Sequence, residues 1–162
     1  MNKKILMPTI VLLVLSMLVI SPVKAKKTVE PYASHVEMEL IDPGKMWVSE
    51  EGILHFKGSY WKGTEVGTLG EAIFEEWYQH LSLNPETGEG TCSAKWLLTF
   101  PEGTIAGSWR GKITLGSVIS GTFVGTHGTG EFEGVKKMGS VEGAMINETY
   151  AVAEISGIVV FP

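Results

Sequence analysis

GTFVGTHGTGEFEGVKKMGSVEG, residues 121–143, is the stretch on which the fold turns. Glycine recurs at Gly121, Gly125, Gly128, Gly130, Gly134, Gly139 and Gly143 among β-forming neighbours, with Gly128-Thr129-Gly130 at the centre. Glycine tolerates positive φ and close backbone approach, which suits the bulges and sharp corners of a curved sheet. The spacing predicts one strand over 118–126, a corner over 125–134, and a second strand over 135–143.

Strand patterns extend outward from this corner in both directions. Upstream, Ile105, Trp109 and Ile113 share one face of 104–114 with Gly107 and Gly111 between them. Large residues alternating with glycine on one face suit a strongly curved sheet whose inward side chains crowd. Cys92, Ala94, Trp96, Leu98 and Phe100 alternate with polar neighbours, and the Asn84-Pro85-Glu86-Thr87-Gly88 turn before them calls for an antiparallel partner. That partner is 71–83, where Ile73, Phe74, Trp77, Tyr78 and Leu81 fit an amphipathic helix as well as a strand; the hairpin favours the strand.

At the N-terminal side Val36, Met38 and Leu40 alternate with His35, Glu37 and Glu39, as in a half-buried strand. A turn at Asp42-Pro43-Gly44-Lys45, a short apolar piece over 46–49, a turn at Glu50-Glu51-Gly52 and a strand over 53–61 follow. Residues 151–161 close the chain as a β-branched strand. Turn signals every 8 to 12 residues or so point to an all-β sandwich or barrel.

Composition and charge narrow the function classes. Lys3 and Lys4, an apolar run over 5–20, and the small residues Val23 and Ala25 predict a signal peptide over 1–25, cut after Ala25, and hence an exported protein. The alternative is an uncleaved membrane anchor, because the apolar run with its flanks approaches the roughly 18 to 20 residues that span a bilayer. The remainder, 26–162, suits a single domain. Without Lys3, Lys4 and Lys24 it carries a formal charge of −8, which repels phosphate backbones and excludes nucleic acid as a partner. Cys92 is the sole cysteine, so no intrachain disulfide forms, and a buried apolar role suits it better than a nucleophilic one.

No stretch carries a catalytic signature. GTHGTG lacks the Lys and Ser or Thr of a phosphate loop, no serine sits in GxSxG, and no histidine pair has the HExxH spacing. His35, His55, His80 and His127 stand far apart, so neither a metal site nor a cofactor is expected. Asn147-Glu148-Thr149 matches the N-glycosylation acceptor pattern. The richest mix of titratable and aromatic side chains is Glu71, Glu75, Glu76, Trp77, Tyr78 and His80. On a strand Glu75, Trp77 and Gln79 take one face and Glu76, Tyr78 and His80 the other. Whichever set enters an apolar interior would hold a carboxylate with a raised pKa, the property a general acid or base requires. The candidate ligand-binding residues are Glu75, Trp77, Tyr78, His80, Trp96 and Trp109.

The run GTGEFEGVKKMGSVEG, together with NPETGEG, KWLLTFPEG and SWRGKIT upstream, resembles the barrel of the allene oxide cyclase and dirigent group, above all its uncharacterised bacterial and archaeal members. The likeness extends from about Asn84 to Gly143. It implies a closed antiparallel barrel, usually of eight strands, with an apolar cavity. Members with known activity steer a reactive intermediate, but their pocket residues form no contiguous motif here, so no catalytic residue is transferred. The expected function is binding of a small hydrophobic molecule inside the barrel. A cyclase or isomerase acting on an apolar substrate, and a structural barrel filled by its own Trp, Phe and Met side chains, are the alternatives. Membrane contact is expected only through an uncleaved signal segment, and the sequence leaves the oligomeric state open.

Overall fold

The structure, a computed structural model, describes residues 27–114 and 119–162. The expected signal peptide and Val118 therefore lie outside the described residues. Every regular element among the described residues is a strand: β1 Thr28–Asp42, β2 Lys45–Val48, β3 Leu54–Lys57, β4 Tyr60–Gly67, β5 Gly70–Leu83, β6 Glu89–Phe100, β7 Gly103–Thr114, β8 Ile119–Gly130, β9 Lys136–Asn147 and β10 Tyr150–Phe161. The pairing order β5-β4-β1-β10-β9-β8-β7-β6, with β6 returning to β5, closes eight antiparallel strands into a barrel. Closure leaves no barrel strand with an unpaired edge. β2 and β3 form an outer hairpin carried on β5.

Period-2 alternation decides which side chains fill the interior. On β1 Tyr32, Ser34, Val36 and Met38 are buried while Glu37 and Glu39 are exposed. On β6 Cys92, Ala94, Trp96, Leu98 and Phe100 are buried, and on β7 Ile105 and Trp109, with Ile113 packed against the same core. Segment 71–83 is strand, as the hairpin requires: it pairs with β4 on one side and β6 on the other.

Two expectations are corrected in detail. The strand expected over 53–61 is two strands, because Gly58 takes φ +79° and turns the chain between β3 and β4. β3 pairs with the far end of β5, at Leu81–Leu83, while β4 pairs with Gly70–Trp77. A register shift in β5 between Tyr78 and His80 lies opposite this break. The corner of the opening stretch is also tighter than its glycines suggest. β8 runs through to Gly130, and the reversal occupies Glu131–Gly134. Gly130 is required there twice over: its φ is +63°, and a Cβ on it would stand 2.1 Å from the Glu102 carbonyl oxygen.

The two ends of the barrel differ. At the end where β8 meets β9, Phe132 from the corner packs on Phe100 with ring centroids 4.6 Å apart, and Ile105, Val135 and Val159 are fully buried beside them. This end is plugged. The opposite end, where β1 finishes and the last residues of β5 pair with the outer hairpin, is the mouth.

Candidate functional site

The register sets a belt of inward residues around the barrel. Glu76 on β5 faces Trp96 on β6, Trp96 faces Gly107 on β7, Gly107 faces Gly125 on β8, Gly125 faces Lys137 on β9, and Lys137 faces Val159 on β10. The two glycines make room for the tryptophan. A Cβ built on Gly107 would lie 2.5 Å from Trp96 Cζ2, and one on Gly125 would lie 2.5 Å from Cη2. Trp96 therefore extends across both strands, and its ring centre comes within 5.3 Å of Lys137 Nζ.

Three ionisable side chains, Lys137, Glu65 and Glu76, stand in this apolar interior, and they are handled differently. Lys137, 1% exposed, donates from Nζ to Glu65 Oε1 at 2.6 Å, and Glu65 is 2% exposed. The same oxygen accepts the Ser34 hydroxyl at 2.9 Å and the Tyr32 hydroxyl. The ammonium also sits 4.0 Å from the centre of the Tyr32 ring and 5.3 Å from that of Phe123, so ring quadrupoles supplement the ion pair. Burial pushes the Glu65 carboxyl up and the Lys137 ammonium down, while their mutual attraction opposes both shifts. Three donors converging on one oxygen favour the ionised pair.

Glu76, 3% exposed, has no such cation. Its Oε1 accepts the Trp109 indole N–H at 2.9 Å. Burial pushes its carboxyl up to about 7, with hydrogen bonding from Trp109 and Tyr78 working against the shift. Burial and the neighbouring Glu76 hold the Tyr78 phenol well above its ordinary value. Burial, with Glu76 adding to it, pushes the Cys92 thiol up to about 12, which leaves it protonated and a poor nucleophile.

Space is distributed unequally between the interior and the mouth. The interior retains about 40 Å³ open to the centre of a water-sized sphere, with a lining that extends from Lys137 and Glu65 past Trp96, Glu76 and Trp109 to Ile119 and Ala151. At the mouth a chamber of about 380 Å³ on the same measure is walled by Leu40, Leu54, Phe56, Trp61, Leu81 and Met145, among others. Tyr78 and Ile119 line both spaces.

The sequence-based candidates divide by face. Tyr78, Trp96 and Trp109 point into the barrel and are gathered there, with the Tyr78 and Trp109 rings edge-on at 5.8 Å. Glu75 and Trp77 lie on the outer face, where Tyr60 stacks on Trp77 at 5.2 Å and donates its hydroxyl to Glu75. His80 is also outside: the shift of register after Tyr78 moves it off the Glu76 face, to 5.7 Å from the ring of His55, which in turn stacks on Trp47. Among the described residues no three His, Cys, Asp or Glu side chains gather as a metal site would require. Asn147 occupies the β9–β10 turn, where its Oδ1 accepts the Thr149 amide at 2.9 Å.

Glu65 and Lys137 were not singled out by sequence reasoning. The available signal was parity: Lys137 stands on the inward rank with Val135, and Glu65 on that of Trp61. Charge on an inward rank marks a group with a partner across the barrel. The chain matches no protein-family model and no curated protein.

Proposed function

We propose that this barrel binds a small hydrophobic molecule, with the ligand's apolar body in the mouth chamber and its leading end in the interior. The observation that carries this reading is the mouth chamber of about 380 Å³, which shares Tyr78 and Ile119 with the interior cavity. Apolar concavities of this kind, with a few convergent polar groups, are the usual form of small-molecule sites. The closed eight-stranded architecture is also what a relationship to the allene oxide cyclase and dirigent group implies, and we place the chain nearest that group. In this reading the protein is exported, and its ligand is met outside the cytoplasm.

Glu76 favours a second reading as a cyclase or isomerase. A carboxyl with a pKa near 7 and no cation beside it exchanges a proton readily at neutral pH, and it faces the space an apolar substrate would enter. Binding and catalysis then share one site and differ in whether Glu76 moves a proton.

Native mass spectrometry of the exported protein, followed by solvent extraction, tests the first reading. A co-purifying apolar molecule is expected, and Ile119→Trp, which fills the junction of the two spaces, should lower its occupancy. An empty protein that also fails to enhance the fluorescence of an apolar dye would sink the reading. For the second, conversion of the extracted molecule by wild-type protein and its loss in Glu76→Gln with binding retained is the expected result; unchanged conversion in Glu76→Gln removes Glu76 as the acid or base.

A further inference from the structure

Among the described residues three buried side-chain polar atoms have no protein hydrogen-bond partner, and two of them, Glu65 Oε2 and Trp96 Nε1, belong to residues lining the interior cavity. They are gathered around the same ammonium. Lys137 Nζ is 2.6 Å from the other oxygen of Glu65 and 5.3 Å from the centre of the Trp96 ring. All the donors that reach Glu65, from Lys137, Ser34 and Tyr32, converge on Oε1 and leave Oε2 free. A buried polar atom without a partner is costly, so this pair of atoms favours any guest that satisfies both.

Their chemistry specifies that guest. An ionised carboxylate oxygen only accepts, and an indole N–H only donates. The guest must therefore donate to Glu65 and accept from Trp96. A neutral hydroxyl does both. An ether, ester or ketone accepts but leaves Glu65 Oε2 unmatched. A carboxylate likewise cannot donate and adds a negative charge beside Glu65. A second ammonium only donates, and it would confront Lys137. The cavity is small, about 40 Å³, and its lining includes Glu65, Lys137 and Ile119, so a guest that reaches the polar end must be slender.

Resting on the reading that the barrel takes an apolar guest, we propose that its ligands are slender aliphatic alcohols, held with the hydroxyl between Glu65 and Trp96 and the hydrocarbon directed to the mouth. The end of the cavity built by Glu65, Lys137 and Trp96 is then a head-group site. Lys137 contributes by keeping Glu65 ionised and oriented.

The test is displacement of a bound apolar dye from the whole domain by decan-1-ol, decyl methyl ether and decanoate. Decan-1-ol is expected to bind about tenfold or more tighter than the ether, the discrimination that one unmatched buried group produces. The advantage should shrink in Trp96→Phe, which removes the N–H, and in Glu65→Gln, which leaves a neutral amide at the head-group position. Equal affinities of alcohol and ether for wild-type protein would overturn the proposal while leaving the apolar-ligand reading intact, and would mean that water satisfies both atoms. A dye that does not bind at all defeats the apolar-ligand reading and this proposal with it, whereas a bound dye displaced by none of the three overturns this proposal alone. Because the decisive comparison uses wild-type protein, it stands even if either variant fails to fold.

Discussion

At the scale of single residues, the interior contains two carboxylates that folding treats in opposite ways. Glu65 is matched by a cation and two hydroxyls, whereas Glu76 has only neutral donors, the Trp109 indole and the Tyr78 hydroxyl. The consequence for Glu76 is a pH dependence whose sign follows from linkage. Its folded-state pKa, about 7, lies above the ordinary value of 4.5, so the folded protein holds a proton that the unfolded chain has already released. Stability is therefore unaffected by this group at low pH, is lost as pH rises from about 4.5 through 7, and stays lower above that. Urea unfolding at about pH 5 and about pH 8 should show wild-type protein losing on the order of 3 kcal/mol relative to Glu76→Gln over that interval. Parallel pH profiles for the two proteins would refute the assignment. The ion pair behaves differently. Lys137→Met alone should cost about 3 to 5 kcal/mol, because it strands a buried carboxylate. Adding Glu65→Gln should recover most of that loss, since a neutral amide oxygen still accepts the Tyr32 and Ser34 hydroxyls. A double variant as unstable as the single one in urea unfolding would show that the charge is not what the site fails to tolerate.

At the scale of elements, the sequence disclosed the strands through alternation but not what lies between them. The inward rank of β6 is legible because Cys92, Ala94, Trp96, Leu98 and Phe100 leave no second parity, and the rank of β7 because glycine separates its large residues. The reason for those glycines lies in the neighbouring strand. Gly107 and Gly125 are adjacent on β7 and β8, and together they accommodate an indole rooted on β6. No single-strand pattern carries that information, because it depends on a register shared by three strands. The same limit hid His80, whose face changes at an irregularity in β5 that period-2 reasoning assumes away. It also hid Lys137 and Glu65, which meet across the barrel from strands far apart in sequence. The glycine arrangement yields a measurable coupling. The three atoms nearest an added Cβ at Gly125 belong to the Trp96 and Ile105 side chains, whereas at Gly107 the nearest is the Val124 carbonyl oxygen at 2.1 Å. Gly125→Ala should cost about 1 to 3 kcal/mol in wild-type protein, as overpacking does, and markedly less in a Trp96→Phe background. Gly107→Ala should remain costly in both backgrounds, because a smaller ring does not move a carbonyl. Additive behaviour of Gly125→Ala and Trp96→Phe in a double-mutant cycle would show that the indole is not what fills the space over Gly125.

At the scale of the whole molecule, ring closure separates a mutually braced barrel from a hairpin attached at one side. Each barrel strand is hydrogen-bonded on both flanks, whereas β2 pairs only with β3, and β3 reaches the barrel through Leu54, His55 and Phe56 alone. All four residues of β2 are exposed, so little apolar burial holds the hairpin down. Local opening is favoured where buried contacts are few and backbone bonds are exposed to solvent. Amide hydrogen exchange should therefore be fast in β2, intermediate in β3, and slowest in β6 and β7, whose paired strands flank the Trp96 belt. The hairpin also borders the chamber, since Leu54 and Phe56 form part of its wall. A guest seated there contacts β3 without touching the outward backbone of the barrel. Saturation with an apolar guest should thus slow exchange in β3 well beyond any change in β6 or β7, because the barrel strands are already near their limit. Uniform slowing of every strand would instead mean that the guest acts through global stability, and that the hairpin is no part of its site.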